Sequence, residues 1–152
     1  MKIIIGLDES PYSQAALKWV REMPWPTNTR ILVYSTASFA AYALVEPGGA
    51  GVYERIQQEQ VKAHEQLVAR AKQELRVAGL TATGRVERGD PREGIVHAAE
   101  TERANLVVVG SHGRTGLSKL VMGSVASHVV THAPCTVVVV KLPREQAPGR
   151  TS

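Results

Sequence analysis

Two short stretches of this chain carry residue types and spacings suited to holding an anion. One is Gly110-Ser111-His112-Gly113-Arg114-Thr115-Gly116, with Gly123-Ser124 a short interval later; the other is Gly6-Leu7-Asp8. Glycines at 110 and 113 let the backbone turn sharply and expose amide N–H groups with no Cβ in the way. Glycine at 123 lets a phosphate approach the start of a helix, where the Ser124 and Val125 amides face it with the positive end of the helix dipole behind them. The Ser124 hydroxyl adds a donor, His112 is a titratable donor, and Arg114 and Lys119 can offset phosphate charge. Neither common phosphate loop is present. The Walker A spacing, which ends in Gly-Lys-Ser/Thr, is missing, and so is G-x-G-x-x-G after the first strand. Plainer readings stand beside these: Asp8 as a turn residue, and His112, Arg114 and Lys119 as solvated side chains. Gly113 and Gly123 beside Ser124 exceed what a turn needs.

The elements that must position these stretches alternate along the chain. Ile3 to Gly6 is apolar on both faces, as in a central strand. Ser10 then Pro11 is a helix start, with Ala15, Ala16, Trp19 and Val20 on one face and Pro24 and Pro26 beyond its end. Ile31 to Tyr34 is a second strand. Ala37 to Val52 is apolar but aperiodic, and reads as a loop suited to act as a lid. Tyr53 to Ala78 reads as a long helix, with Ala63, Leu67, Ala71 and Leu75 recurring every fourth residue and Gly79 as its stop. Thr81 to Arg88 alternates apolar and polar, as a sheet-edge strand does. Asp90-Pro91-Arg92-Glu93 has the form of a capping box opening a helix through Ile95, Ala98 and Ala99. Leu106 to Val109 is a further buried strand, a helix runs through Val125, Val129 and Val130 to Pro134, and Thr136 to Lys141 is the last strand. Such alternation predicts an α/β fold: an open, doubly wound, five-stranded parallel sheet with helices on both faces. One domain over 1–142 and a flexible tail over 143–152 are expected.

Bulk composition narrows the function class. A chain of 152 residues with 43% hydrophobic and 21% charged content can bury a sizeable core. Aromatics make up only 5%, so Val, Ile, Leu and Ala must fill that core. The net charge of +4 is spread without runs or aromatic interleaving, which argues against a nucleic-acid partner. No apolar stretch is long enough to span a membrane. The single cysteine, Cys135, excludes an internal disulfide, agrees with a cytoplasmic setting, and suits a small buried hydrophobe. The apolar run after Lys2 is too short for a signal peptide. His128 and His132 have metal-ligand spacing, but no Glu follows His128 and no third ligand is evident, so no metal site is assigned.

The spacing Gly110-x2-Gly113-x9-Gly123-Ser124 resembles the ATP-binding signature of the universal stress protein family. The strand-loop text Leu106 to Gly113, the Ala133-Pro134-Cys135-Thr136-Val137 segment and the Asp8-Glu9-Ser10 turn resemble that family too. The resemblance covers nearly the whole chain and is weakest over Ala37 to Tyr53. It implies strand order 3-2-1-4-5 and ATP, with Mg2+, bound between the ends of strands one and four. Adenine would lie near Asp8 and the backbone around Ser35, and ribose near Val109 and Gly110, with Gly6 and Leu7 also bordering the nucleotide. Phosphates would lie on His112, Gly113, Gly123, Ser124 and Val125, with Arg114 a further cofactor-binding candidate. The order also puts the apolar last strand at a sheet edge, which calls for a homodimer through Thr136 to Lys141 or a cover from the chain's own tail. Three functions compete. The first is an ATP-binding stress-response module or switch with at most slow hydrolysis. The second is a dedicated ATPase or nucleotidyl transferase, against which stands the lack of a general base or P-loop lysine. The third is a dimeric interaction protein with a vestigial site. No catalytic residue is assigned, and the downstream protein partner is left open.

Overall fold

The computed structural model describes residues 1–38, 50–113 and 121–143. Nine elements follow in chain order among these residues: β1 (Lys2–Gly6), α1 (Pro11–Glu22), β2 (Arg30–Ala37), α2 (Ala50–Val77), β3 (Thr81–Arg88), α3 (Pro91–Thr101), β4 (Leu106–Gly110), α4 (Ser124–His132) and β5 (Thr136–Val140). The five strands form one parallel sheet in the order β3-β2-β1-β4-β5. The expected doubly wound fold and its strand order are therefore present. The chain winds outward from β1 to β3, then returns to β4 on the other side of β1.

Strand alternation sorts the core into two layers. Ile3, Ile5, Ile31, Val33, Leu106 and Val108 face α1 and α2, meeting Ala16, Leu17, Val20, Leu67, Val68, Ala71 and Leu75. Ile4, Leu32, Tyr34, Val107 and Val109 face α3 and α4, meeting Ile95, Ala98, Ala99, Ala126 and Val129. The central strands are buried on both faces, which is why they read as unbroken apolar runs. Each fully buried Ile or Val contributes about 1.5–3 kcal/mol relative to exposure. Cys135 packs half-buried at the rim of the second layer, consistent with a small hydrophobe. No described helix is long and apolar enough to cross a membrane.

The helix signals act locally as their chemistry requires. Ser10 Oγ accepts from the Ser13 amide at 3.1 Å, and Pro11 opens α1. Gly79, at φ +84°, ends α2 in a left-handed turn closed by Leu80 N–H on the Leu75 carbonyl at 3.0 Å. Two boundaries differ from expectation. β2 runs on to Ala37, and α2 begins at Ala50, so Gly51 lies in its first turn, where the dihedral freedom of glycine costs least. Residues 39–49 of the expected loop lie outside the described set. The capping box over Asp90 is only half realised. Asp90 accepts from the Arg92 amide at 2.9 Å, while Glu93 Oε1 lies 3.1 Å from His128 Nε2 on α4 instead of reaching back.

The Arg92 guanidinium and amide beside Asp90 hold its carboxyl below the usual range. A depressed folded pKa gives stability that is present above the ordinary carboxyl value of about 4 and is lost as pH falls through the folded value. Asp90→Ala is expected to cost about 1 kcal/mol near neutral pH, the usual worth of an N-cap. Urea unfolding at several pH values should show the gap between the two proteins closing in acid. A gap that stays constant down to strongly acidic pH contradicts the cap.

Candidate functional site

The end of a parallel sheet where strand order reverses leaves a crevice between divergent crossovers. Here that point lies between β1 and β4, and a cavity of 390 Å³ opens beyond their carboxyl ends. Gly6, Leu7, Asp8, Ser35, Val109, Gly110, His112, Gly113, Gly123, Ser124 and Val125 all line it. Arg114 and Lys119, also singled out from the sequence, lie outside the described residues.

At one end the chain closes on itself with almost no space to spare. Gly123 N–H donates to the Ser111 carbonyl at 2.8 Å. A Cβ on Gly123 would stand 3.0 Å from His112 Cα and 3.2 Å from the Ser111 oxygen. Gly123 has φ −59° and ψ 157°, open to any residue, so glycine serves there for closeness and not for its backbone angles. The added atom would meet the loop backbone. Gly110 works the same way: a Cβ there would lie 2.8 Å from the carbonyl carbon of Tyr12, so glycine lets α1 sit down on the end of β4. Neither it nor Gly113 has the positive φ that a sharp glycine turn would show.

α4 starts at this closure. It has no side-chain cap, unlike α1 and α3, which Ser10 and Asp90 cap, and it has no acidic residue in its first turn. The N–H groups of its first turn have no intrahelical acceptors. The Gly123 N–H is already committed to Ser111, so Ser124, Val125 and Ala126 carry the first-turn donors that remain at the cavity wall. The His112 imidazole is engaged at both nitrogens, 2.7 Å from the Val121 carbonyl and 3.0 Å from Ser111 Oγ. Asp8 Oδ1 accepts from the Ser10 amide at 2.8 Å, and Asp8 Oδ2 would stand 3.1 Å from a Cβ on Gly113. A carboxylate thus borders the glycine loop.

The other end is polar and closed by α2. Ser35 Oγ donates its one hydrogen to the Leu7 carbonyl at 2.7 Å, so its 2.7 Å contact with His64 Nδ1 requires that nitrogen to be the donor. The Ser35 hydroxyl therefore has no hydrogen left for another acceptor. His64, Gln60, Tyr34, Thr36, Pro91 and Ile95 also line the cavity and were not identified from the sequence. Gln60 and His64 are one turn apart, polar interruptions beside the Ala63–Leu67 stripe, and that was the available signal. Burial, opposed in part by neighbouring Thr36, pushes the Tyr34 phenol up to about 12; it stays protonated and donates to Glu87 at 2.8 Å. Away from the cavity, the His128 and His132 rings stack at 4.1 Å with their nitrogens not converging, and no trio of metal-ligating side chains occurs among the described residues.

Residues 1–141 match the model of the universal stress protein family. Universal stress protein Sll1388 of Synechocystis is 26% identical over 150 residues, covering 92% of this chain and 97% of that protein. Universal stress protein MJ0531 of Methanocaldococcus jannaschii is 45% identical over 58 residues, which span 38% of this chain and 34% of the relative. A universal stress protein family structure from Arabidopsis thaliana with AMP bound superposes with a TM-score of 0.72 at 17% identity, covering 99% of this chain and 97% of that one. At that identity the likeness speaks to the fold alone. The match over nearly the full length, with the fold and the signature glycines lying where β4 gives way to α4, shows that this chain belongs to the universal stress protein family.

Proposed function

We propose that this protein binds ATP in the cavity between β1 and β4 and acts as a nucleotide-dependent stress-response module, with at most slow hydrolysis. The observation that carries this reading is the uncapped start of α4, which opens into the cavity beside Gly113 and Gly123. An anion there would complete the first turn of α4 and gain from its dipole. The volume of 390 Å³ falls within the usual range for small-molecule sites. The AMP carried by the Arabidopsis relative supports a nucleotide as the occupant.

The residues present fit ATP in three respects. The Ser124 and Val125 amides and the Ser124 hydroxyl would receive phosphate oxygens. Val109 and Gly110 would border the ribose. Gly6, Leu7, Asp8 and the backbone at Ser35 would border the base, with His64 fixing the wall behind it. Asp8 beside the loop would repel a bare polyphosphate, so a divalent cation such as Mg2+ fits the site's charge. The described lining offers no lysine of the P-loop kind, which favours a binder over a dedicated enzyme.

Calorimetry on nucleotide-stripped protein is expected to give micromolar ATP affinity with magnesium, weaker GTP binding, and turnover well below about one per second. Absence of any nucleotide binding would overturn the reading and leave an interaction protein with a vestigial site.

The two sheet edges differ in a way that supports a homodimer. β3 carries Arg85, Glu87 and Arg88 along its edge, whereas Val137 to Val140 of β5 are half-buried valines. Charges blunt an edge and bare valines invite pairing. We expect two copies to join through Thr136 to Lys141 about a two-fold axis. Val138→Lys should convert the dimer to a monomer in light scattering after gel filtration while the chain stays folded. An unchanged mass for the variant, or a monomeric parent, contradicts this interface.

A further inference from the structure

We infer that His112 is a positioning residue, a clasp that joins the exit of β4 to the entry of α4, and not a direct ligand of the phosphates. The inference rests on the nucleotide-site reading for its purpose, though not for its geometry.

The hydrogen bonds dictate the assignment. The Val121 carbonyl can only accept, so the 2.7 Å contact requires a hydrogen on His112 Nε2. That hydrogen is present whether the ring is neutral or charged. In the neutral ring, Nδ1 accepts from the Ser111 hydroxyl at 3.0 Å. Both ring nitrogens are thereby occupied by the protein itself. The ring is also seated against Tyr12, with centroids 4.9 Å apart. Tyr12 reaches that place because Gly110 lets the first turn of α1 approach β4.

The consequence falls on the phosphate end. Ser111 and His112 hold the returning chain twice, through Ser111 O on Gly123 N–H and through His112 Nε2–H on Val121 O. The two bonds lie on either side of Met122 and fix the approach of the chain into Ser124. Ser111 is 3% exposed, so its half of the clasp is anchored in the protein interior. α4 has no side-chain cap of its own, and this clasp sets the direction in which its first amides point. The imidazole therefore acts on a phosphate through Val121 and Gly123.

The test compares His112→Ala with His112→Gln. A glutamine amide reaches about as far as Nε2 and offers an N–H donor without charge. Two readouts are needed: the exchange rate of the Gly123 amide by NMR without nucleotide, and ATP affinity with magnesium by calorimetry. In His112→Ala we expect faster Gly123 exchange and affinity lowered by about tenfold, the equivalent of one lost hydrogen bond. In His112→Gln both should return to within about threefold of the parent. Equal affinity loss in both variants, with parental Gly123 exchange, would overturn the clasp and make the ring a direct ligand. Parental behaviour of His112→Ala in both readouts would overturn it too. If neither parent nor variant binds nucleotide while Gly123 exchange follows the predicted pattern, the clasp stands and the nucleotide reading falls.

Discussion

The chain must return from outside the sheet and lie directly on the backbone leaving β4, and most of the candidate site follows from that close approach. Gly123 stands so near Ser111 and His112 that a Cβ would be crowded by their backbone, and Gly110 stands closer still to Tyr12 on the other side. With no side chain between them, the two backbones bond through Gly123 N–H and the Ser111 carbonyl. The first amides of α4 are then delivered to the cavity unaccompanied by a capping side chain. A serine or aspartate at position 123 would have capped the helix as at α1 and α3. It would also have met the loop backbone and placed an oxygen where the cavity offers donors. The helix thus keeps unsatisfied donors at its start because closeness takes precedence over capping.

The surrounding sheet makes that closure rigid. β1 and β4 are central, covered on both faces by two apolar layers in which their isoleucines, leucine and valines are buried. Their carboxyl ends are therefore fixed points from which short turns project. The base-side wall depends on a different arrangement. There α2, 28 residues long, buries its later turns through Leu67, Val68, Ala71 and Leu75 and brings His64 from an earlier turn to Ser35. One end of the cavity is thus built by backbone contact within the β4–α4 crossover. The other is built by a side-chain bond across 29 positions in the chain.

That difference explains how much was legible in the sequence. The strands, their order by family resemblance, the helix starts at Ser10 and Asp90, and the stop at Gly79 are local signals, and the structure shows each of them. The glycine loop could be read because its residue types and spacing are themselves local. The reasons behind the glycines were less accessible: turning was the natural expectation, and close approach to Tyr12 and His112 is a tertiary fact. The capping role expected for Glu93 gave way to His128, which lies on another helix. His64 and Gln60 went unread because a polar residue on a long helix looks solvated until the sheet beneath it is known. The engagement of His112 with Val121 likewise joins residues on either side of the loop and has no sequence signature.

The central claim is that the start of α4 is a phosphate seat. An amide-resolved NMR titration of the stripped protein with ADP and magnesium tests it most directly. The largest shift changes should fall on the Ser124 and Val125 amides, saturating together with smaller changes at Gly113 and Asp8. Saturable binding that leaves Ser124 and Val125 unmoved, or no change anywhere on the spectrum, would contradict a phosphate seat at this helix.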